Sequence, residues 1–190
     1  MPHFPQPTPP GPRENVRLKR KDYWPIFCCI AKGARIASTI EFWFDFASTY
    51  SYLSALRIDE AAAHAGVDVI WRPFLLGPIF QAQGWSTSPF NVYPAKGRYM
   101  VRDITRIAAS RGHAFQMPAV FPANGLAAAR IAIAADDHGW TPRFSRAVFE
   151  SQFGSGAGIS DIAVLRAIVC ALGCDADEII ARATSDAVKA

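Results

Sequence analysis

Two hydroxyls three residues apart, Ser48 and Ser51, sit in and just after the polar turn Ala47-Ser48-Thr49, between an alternating apolar segment and a helical one. A side chain at such a strand-to-helix turn meets unpaired backbone N–H groups and the positive end of the helix dipole, a setting that favours anions and thiolates. A redox enzyme acting through a local dithiol would need Cys-x-x-Cys here, and the two serines exclude that chemistry. A serine hydroxyl can still donate a hydrogen bond to a sulfur carried by a ligand. It can equally be an ordinary helix N-cap, which alone stabilises by about 1 kcal/mol. On the residues alone, both roles stand open.

The cysteines offer less. Cys28 and Cys29 are adjacent, and Cys170 and Cys174 are four residues apart on an expected helix. That is too few, and the wrong spacing, for a secreted disulfide framework, so a reducing, cytoplasmic setting is expected. Cys170 and Cys174 would share a helix face as half a metal site, but no His or Cys motif accompanies them. Packing at the core boundary is the expectation, with no metal.

The elements that must position Ser48 begin at Thr39. Ile40, Phe42, Phe44 and Phe46 alternate with Glu41, Trp43 and Asp45, the period of two of a strand. After the turn, Leu53, Leu56, Glu60 and Ala63 recur at helical spacing, and Gly66 closes the helix. Val67 to Phe74 reads as a second strand with Val67, Val69 and Trp71 on one face. A strand–helix–strand unit of this length implies parallel pairing through a right-handed crossover, hence an α/β fold.

Residues 75–95 read as a long loop rich in Gly, Pro, Ser and Asn, and helical spacing returns at Met100, Ile104, Ile107 and Ala108. Further helices are expected to start at Asn124, Thr141-Pro142, Ser160 and Asp175, with one more turn at Ser185-Asp186. Two parallel strands leave both sheet edges open and one face poorly covered unless more strands follow, so the sequence alone reads as an incomplete α/β domain.

At 190 residues, about half of them hydrophobic, the chain is long enough for one domain. Residues 1–38 carry seven Lys/Arg against Glu14 and Asp22, a net +5 within a chain total of +4, so the remainder is −1. A nucleic-acid binder would place its basic residues on a folded face, and no nucleic-acid partner is expected. The first twelve residues hold six prolines and suit an extended tail, as part of a basic leader over 1–38 that reads as upstream, non-native sequence. The charged stretch Arg17 to Lys21 before Ile26 to Ala31 is too short in its apolar part, and interrupted by Pro25, for a secretory signal. No stretch has the length of a membrane helix, so no membrane partner is expected.

The segment Phe42-Trp43-Phe44-Asp45-Phe46-Ala47-Ser48-Thr49-Tyr50-Ser51-Tyr52-Leu53 resembles the opening of the 2-hydroxychromene-2-carboxylate isomerases and kappa-class glutathione transferases. Pro94 to Met100, Phe121 to Leu126 and Phe149 to Asp161 are similar to three further segments of that family, so the likeness runs in order over residues 40–190.

The resemblance implies a thioredoxin-like fold with an inserted helical domain, here 39–75 as the strand–helix–strand part and 76–190 as the loop and helical insertion. It implies glutathione as cofactor and an isomerase acting on an aromatic-catabolism intermediate, with homodimerisation left open. By position the serine that hydrogen-bonds the glutathione sulfur is Ser48. The same resemblance implies Thr49, Tyr50, Ser86 and Lys96 as cofactor contacts, and Lys96 and Asn124 as substrate contacts. Thr49 departs from the usual proline of the family, and Ser86 from an asparagine carried by several members. Relatives also continue into further strands and a Gly-x-Pro turn beyond the matched region. An inactive fragment and a helical interaction module are the competing expectations.

Overall fold

The alternation beginning at Thr39 becomes strand β1, Thr39–Phe44, and the second apolar segment becomes β2, Asp68–Pro73, in the computed structural model, which describes residues 38–136 and 139–189. The expected leader, with its prolines, basic run, Cys28 and Cys29, lies outside the described residues apart from Ser38. The strands pair in parallel from Thr39 opposite Asp68 to Phe44 opposite Pro73. One face of this pair carries Phe42, Phe44, Val69 and Trp71, which join the core. The other carries Trp43 and Ile70 beside a Glu41–Arg72 ion pair at 3.2 Å. Among the described residues the sheet consists of these two strands.

Three local expectations are corrected. The strand stops at Phe44, and Asp45, expected on its polar face, is only 4% exposed. Its carboxylate captures the Ala47 backbone N–H two residues on, the Asx geometry that competes with extended structure. The single helix expected up to Gly66 is two helices, α1 (Thr49–Ala55) and α2 (Ile58–Ala65). At the junction the Arg57 N–H bonds the Ser54 carbonyl three residues back, and Arg57 leaves helical geometry at φ −128°. Asp59 and Glu60 then occupy the first turn of α2, where acids suit the dipole. Gly66 ends α2 in the left-handed region at φ 66°, as a C-terminal glycine should.

The third correction concerns the long loop. It contains α3 (Leu76–Ala82) and α4 (Pro89–Val92), and α5 (Pro94–Ser110) begins within it. Elements of seven and four residues containing Gly or Pro are too short for periodicity to resolve.

The remaining helices are α6 (Leu126–Ala134), α7 (Thr141–Phe149), α8 (Ile162–Ala171), α9 (Ala176–Ala183) and α10 (Asp186–Lys189). A π turn, Glu150–Gly154, prolongs α7. Asp161 caps α8 in place of the expected Ser160, because its carboxylate accepts from Ala163 N–H and the Ser160 hydroxyl is engaged elsewhere. Since α8 ends at Ala171, Cys174 lies beyond it, and the two cysteines do not share a helix face.

The core is aromatic. Phe44, Phe46, Phe144, Phe149, Phe153 and Tyr52 are all buried, and the Phe44 ring lies 5.2 Å from Phe46, 5.4 Å from Trp71 and 5.8 Å from Phe149. Burial of each such ring contributes roughly 1.5–3 kcal/mol, with about 0.5–1.5 more for edge-to-face pairs. At its margin Asp59 accepts from Trp71 Nε1 at 3.2 Å and pairs with Arg146, whose guanidinium lies 5.5 Å from the Trp71 ring centroid. This knot ties α2, β2 and α7 together behind the Ser48 turn. Among the described residues no helix is long and apolar enough to cross a membrane, and no group of three His, Cys, Asp or Glu is placed to hold a metal ion.

Candidate functional site

Ser48 is the N-cap of α1. Its backbone is extended, at φ −94° and ψ 118°, and its Oγ accepts from the Ser51 N–H at 3.2 Å. Ser51 Oγ in turn accepts a longer bond, 3.4 Å, from the Asp45 N–H. Of the two roles left open for Ser48, the structure shows the cap: one lone pair of the hydroxyl accepts from the helix, and among the described residues nothing accepts its proton. Ser48 is half-buried and lines a cavity of about 380 Å³.

Three stretches of chain complete that cavity. The first is the segment after β2 together with α3, contributing Leu75, Leu76 and Phe80. The second is Trp85 to Ser88 with Phe90 of α4. The third is the loop from Phe121 to Leu126, which contains a cis peptide between Phe121 and Pro122. The walls thus combine four aromatic rings (Phe80, Trp85, Phe90 and Phe121) with hydroxyl and amide groups, the mixture that orients small organic ligands. Asn91 holds two of the walls together, its Nδ2 donating to Thr87 Oγ1 at 3.1 Å and to the Phe121 carbonyl at 3.0 Å.

Of the residues proposed from sequence, Ser48, Thr49, Ser86 and Asn124 line the cavity. Thr49 is 1% exposed and its hydroxyl points inward, donating to Met100 Sδ at 3.3 Å. Ser86 is exposed on the rim. Asn124 is exposed, and its Oδ1 accepts from the Leu126 N–H at 3.0 Å, but the N-cap of α6 is Gly125, so the expected cap lies one residue before the position that fills it. Tyr50 and Lys96 do not line the cavity. They flank Phe90: the Tyr50 ring lies 6.4 Å from it, and Lys96 Nζ sits 5.8 Å from its centroid. Tyr50 also makes a long bond to Asp103 at 3.4 Å, and partial burial together with that carboxylate raises its pKa.

Asp45 escaped the sequence reading. Alternation assigned it to a solvated strand face, yet it is a buried wall residue of the cavity. Its two oxygens accept from Ala47 N–H and Leu76 N–H, each at 2.6 Å. Burial pushes its carboxyl pKa up, and these two backbone bonds pull the other way. The available signal was an acid at the end of an apolar strand, three residues before the serine. The aromatic walls carried no signal of their own, because Phe80 of α3, Trp85 and Phe90 of the second stretch and Phe121 of the third follow no common period.

A family profile described as "DSBA-like thioredoxin domain" matches residues 39–190. A 2-hydroxychromene-2-carboxylate isomerase from Sphingobium xenophagum is 32% identical over 90 residues, which is 47% of this chain and 44% of that protein. The matched stretch is thus less than half the length of this curated relative. Among solved structures, a 2-hydroxychromene-2-carboxylate isomerase (HCCA isomerase) superposes with a TM-score of 0.69 at 23% identity, covering 80% of this chain and 73% of that one. A probable DsbA oxidoreductase from Streptomyces coelicolor superposes with a TM-score of 0.61 at 19% identity, covering 79% and 69%. At these identities the superpositions establish the fold, a thioredoxin-like α/β core with many helices.

Proposed function

We propose that this chain, which belongs to the DsbA-like thioredoxin family, is a glutathione-dependent isomerase of the 2-hydroxychromene-2-carboxylate type. The observation that carries the reading is the Ser48 hydroxyl, which lines the cavity with one lone pair committed to the helix cap and its proton uncommitted. A donor so placed favours the ionised form of a sulfur beside it, lowering the thiol pKa. The absence of a partner thiol at Ser51 separates this site from dithiol exchange.

Bound glutathione would supply a sulfur nucleophile able to add reversibly to an unsaturated substrate, which permits isomerisation without net oxidation. The chain's own residues do the rest. Ser48 donates to the sulfur. Phe80, Trp85, Phe90 and Phe121 give an aromatic substrate apolar walls and keep water off it. Asn124 Nδ2 and the Ser86 hydroxyl offer donors for a carboxylate. Lys96, held over Phe90, adds positive charge near that wall.

The test is thermal unfolding of the 190-residue chain with and without millimolar glutathione, since a ligand that binds only the folded form raises the midpoint. At a hundred times its Kd such a ligand stabilises by about 2.7 kcal/mol. A single transition moved upward by glutathione, and left in place in Ser48→Ala, is the expected result. A transition that glutathione does not move would overturn the reading.

A further inference from the structure

The cavity has one ionisable side chain among its described lining residues, and it is Asp45. The groups around it carry no charge: Ala47 and Ser48 on the turn, Leu75 and Leu76 at the start of α3, and Asn124 and Gly125 on the third wall. A buried carboxylate with no cation beside it is an expensive group to keep unless its hydrogen bonds are put to use.

Its bonds join parts of the chain that are far apart in sequence. Oδ1 takes the Ala47 N–H of the Ser48 turn, and Oδ2 takes the Leu76 N–H, 31 residues away, at the first residue of α3. The Asp45 backbone closes the same turn, its carbonyl accepting from the Ser48 N–H at 2.9 Å. The third wall rests on this joint. A Cβ built on Gly125 would lie 3.5 Å from Phe46 Cβ, 3.8 Å from Asp45 Oδ1 and 3.9 Å from the Ala47 nitrogen, so the third wall passes within van der Waals reach of the joint. Three cavity walls therefore meet at one carboxylate, and the turn carrying Ser48 is fixed by it.

We propose that Asp45 is a positioning residue for the thiol site: its carboxylate clips the Ser48 turn to the start of α3, so that the Ser48 hydroxyl faces the ligand sulfur at a set place in the cavity. The assignment rests on the thiol reading of the site. Only a carboxylate serves both backbone donors at this size. An asparagine of the same shape offers one oxygen and turns an NH2 group against the other N–H, which opens one side of the clip.

The experiment uses wild type, Asp45→Asn and Ser48→Ala in the full 190-residue chain, with glutathione as the probe. In wild type, the Ala47 and Leu76 amide proton resonances should titrate together with one midpoint above the ordinary carboxyl value of 3.8, because both report the same group. This measurement needs no variant, so it decides the clip even where Asp45→Asn fails to fold. In folded Asp45→Asn, at least one of these amides should lose hydrogen-exchange protection, and glutathione affinity should fall about tenfold or more, the loss of one charge-assisted bond. Ser48→Ala should lose affinity while both amides stay protected.

Amides that titrate apart or not at all overturn the clip, as does an Asp45→Asn protein that binds glutathione like wild type. Wild type that titrates as expected but does not bind glutathione overturns the thiol reading, and with it the clip's assignment to that ligand, while the joint itself stands. The two failures thus leave different records.

Discussion

Behind the Ser48 turn, Phe44, Phe46, Phe149 and Tyr52 pack ring against ring with almost no exposed surface. In front of it, the walls of the cavity are joined by single hydrogen bonds: Asp45 to Leu76, and Asn91 to Phe121. The rear side is held by area, which is non-directional and tolerant of detail as long as volume is kept. The front side is held by direction, where one atom placed differently opens a seam. A site that must admit a ligand cannot be filled with side chains, so its shape depends on a few polar joints.

The largest contrast comes from emptying the rear. Phe44→Ala removes a ring that touches Phe42, Phe46, Trp71 and Phe149 and should lower stability by about 3–5 kcal/mol, read from denaturant midpoints. A loss under 1 kcal/mol would mean that the aromatic cluster does not hold the turn.

The buried acid of the front should show itself through pH. Because burial raises the Asp45 pKa, the folded chain binds this proton more tightly than the unfolded one. Its contribution to stability is full below the ordinary value of 3.8 and is lost as pH rises through the higher folded value. One proton limits the slope to about 1.4 kcal/mol per pH unit. Urea midpoints of wild type relative to Asp45→Asn should therefore fall with rising pH in that window. A flat difference would mean that the two backbone bonds fully offset burial.

The smallest effect is expected at Asn91→Ala. Two exposed bonds are lost, worth about 1 kcal/mol together, and exchange protection should change near Thr87 and Phe121 while the aromatic core is untouched. A drop comparable to that of Phe44→Ala would erase the distinction between the two sides.

Much of the rear was legible in the chain. The period of two over Ile40 to Phe44, the stripe Phe144, Val148 and Phe149, Gly66 after α2 and Asp175 before α9 all report local geometry, and each was found where its residue types placed it. Ser48 was legible for the same reason, as a polar residue between a strand and a helix. The misses share another cause. The break at Leu56–Arg57, the short helices α3 and α4, and the exchange of Ser160 for Asp161 as a cap turn on single hydrogen bonds that periodicity does not register.

Sequence by itself thus determined the α/β class, the parallel pairing, the starts of α1, α7, α9 and α10 and the place of Ser48, because each follows from interactions within a few residues or from the period of apolar side chains. Tertiary structure alone decided that Asp45 faces inward, that Thr49 spends its hydroxyl on Met100, that Tyr50 and Lys96 stand behind Phe90, and that Trp85, Phe90 and Phe121 close on one cavity. The inward turn of Asp45 and the bond of Thr49 depend on contacts between distant segments, Asp45 with Leu76 31 residues away and Thr49 with Met100 51 residues away, and such contacts form only when the packed aromatic core sets the distance between the segments.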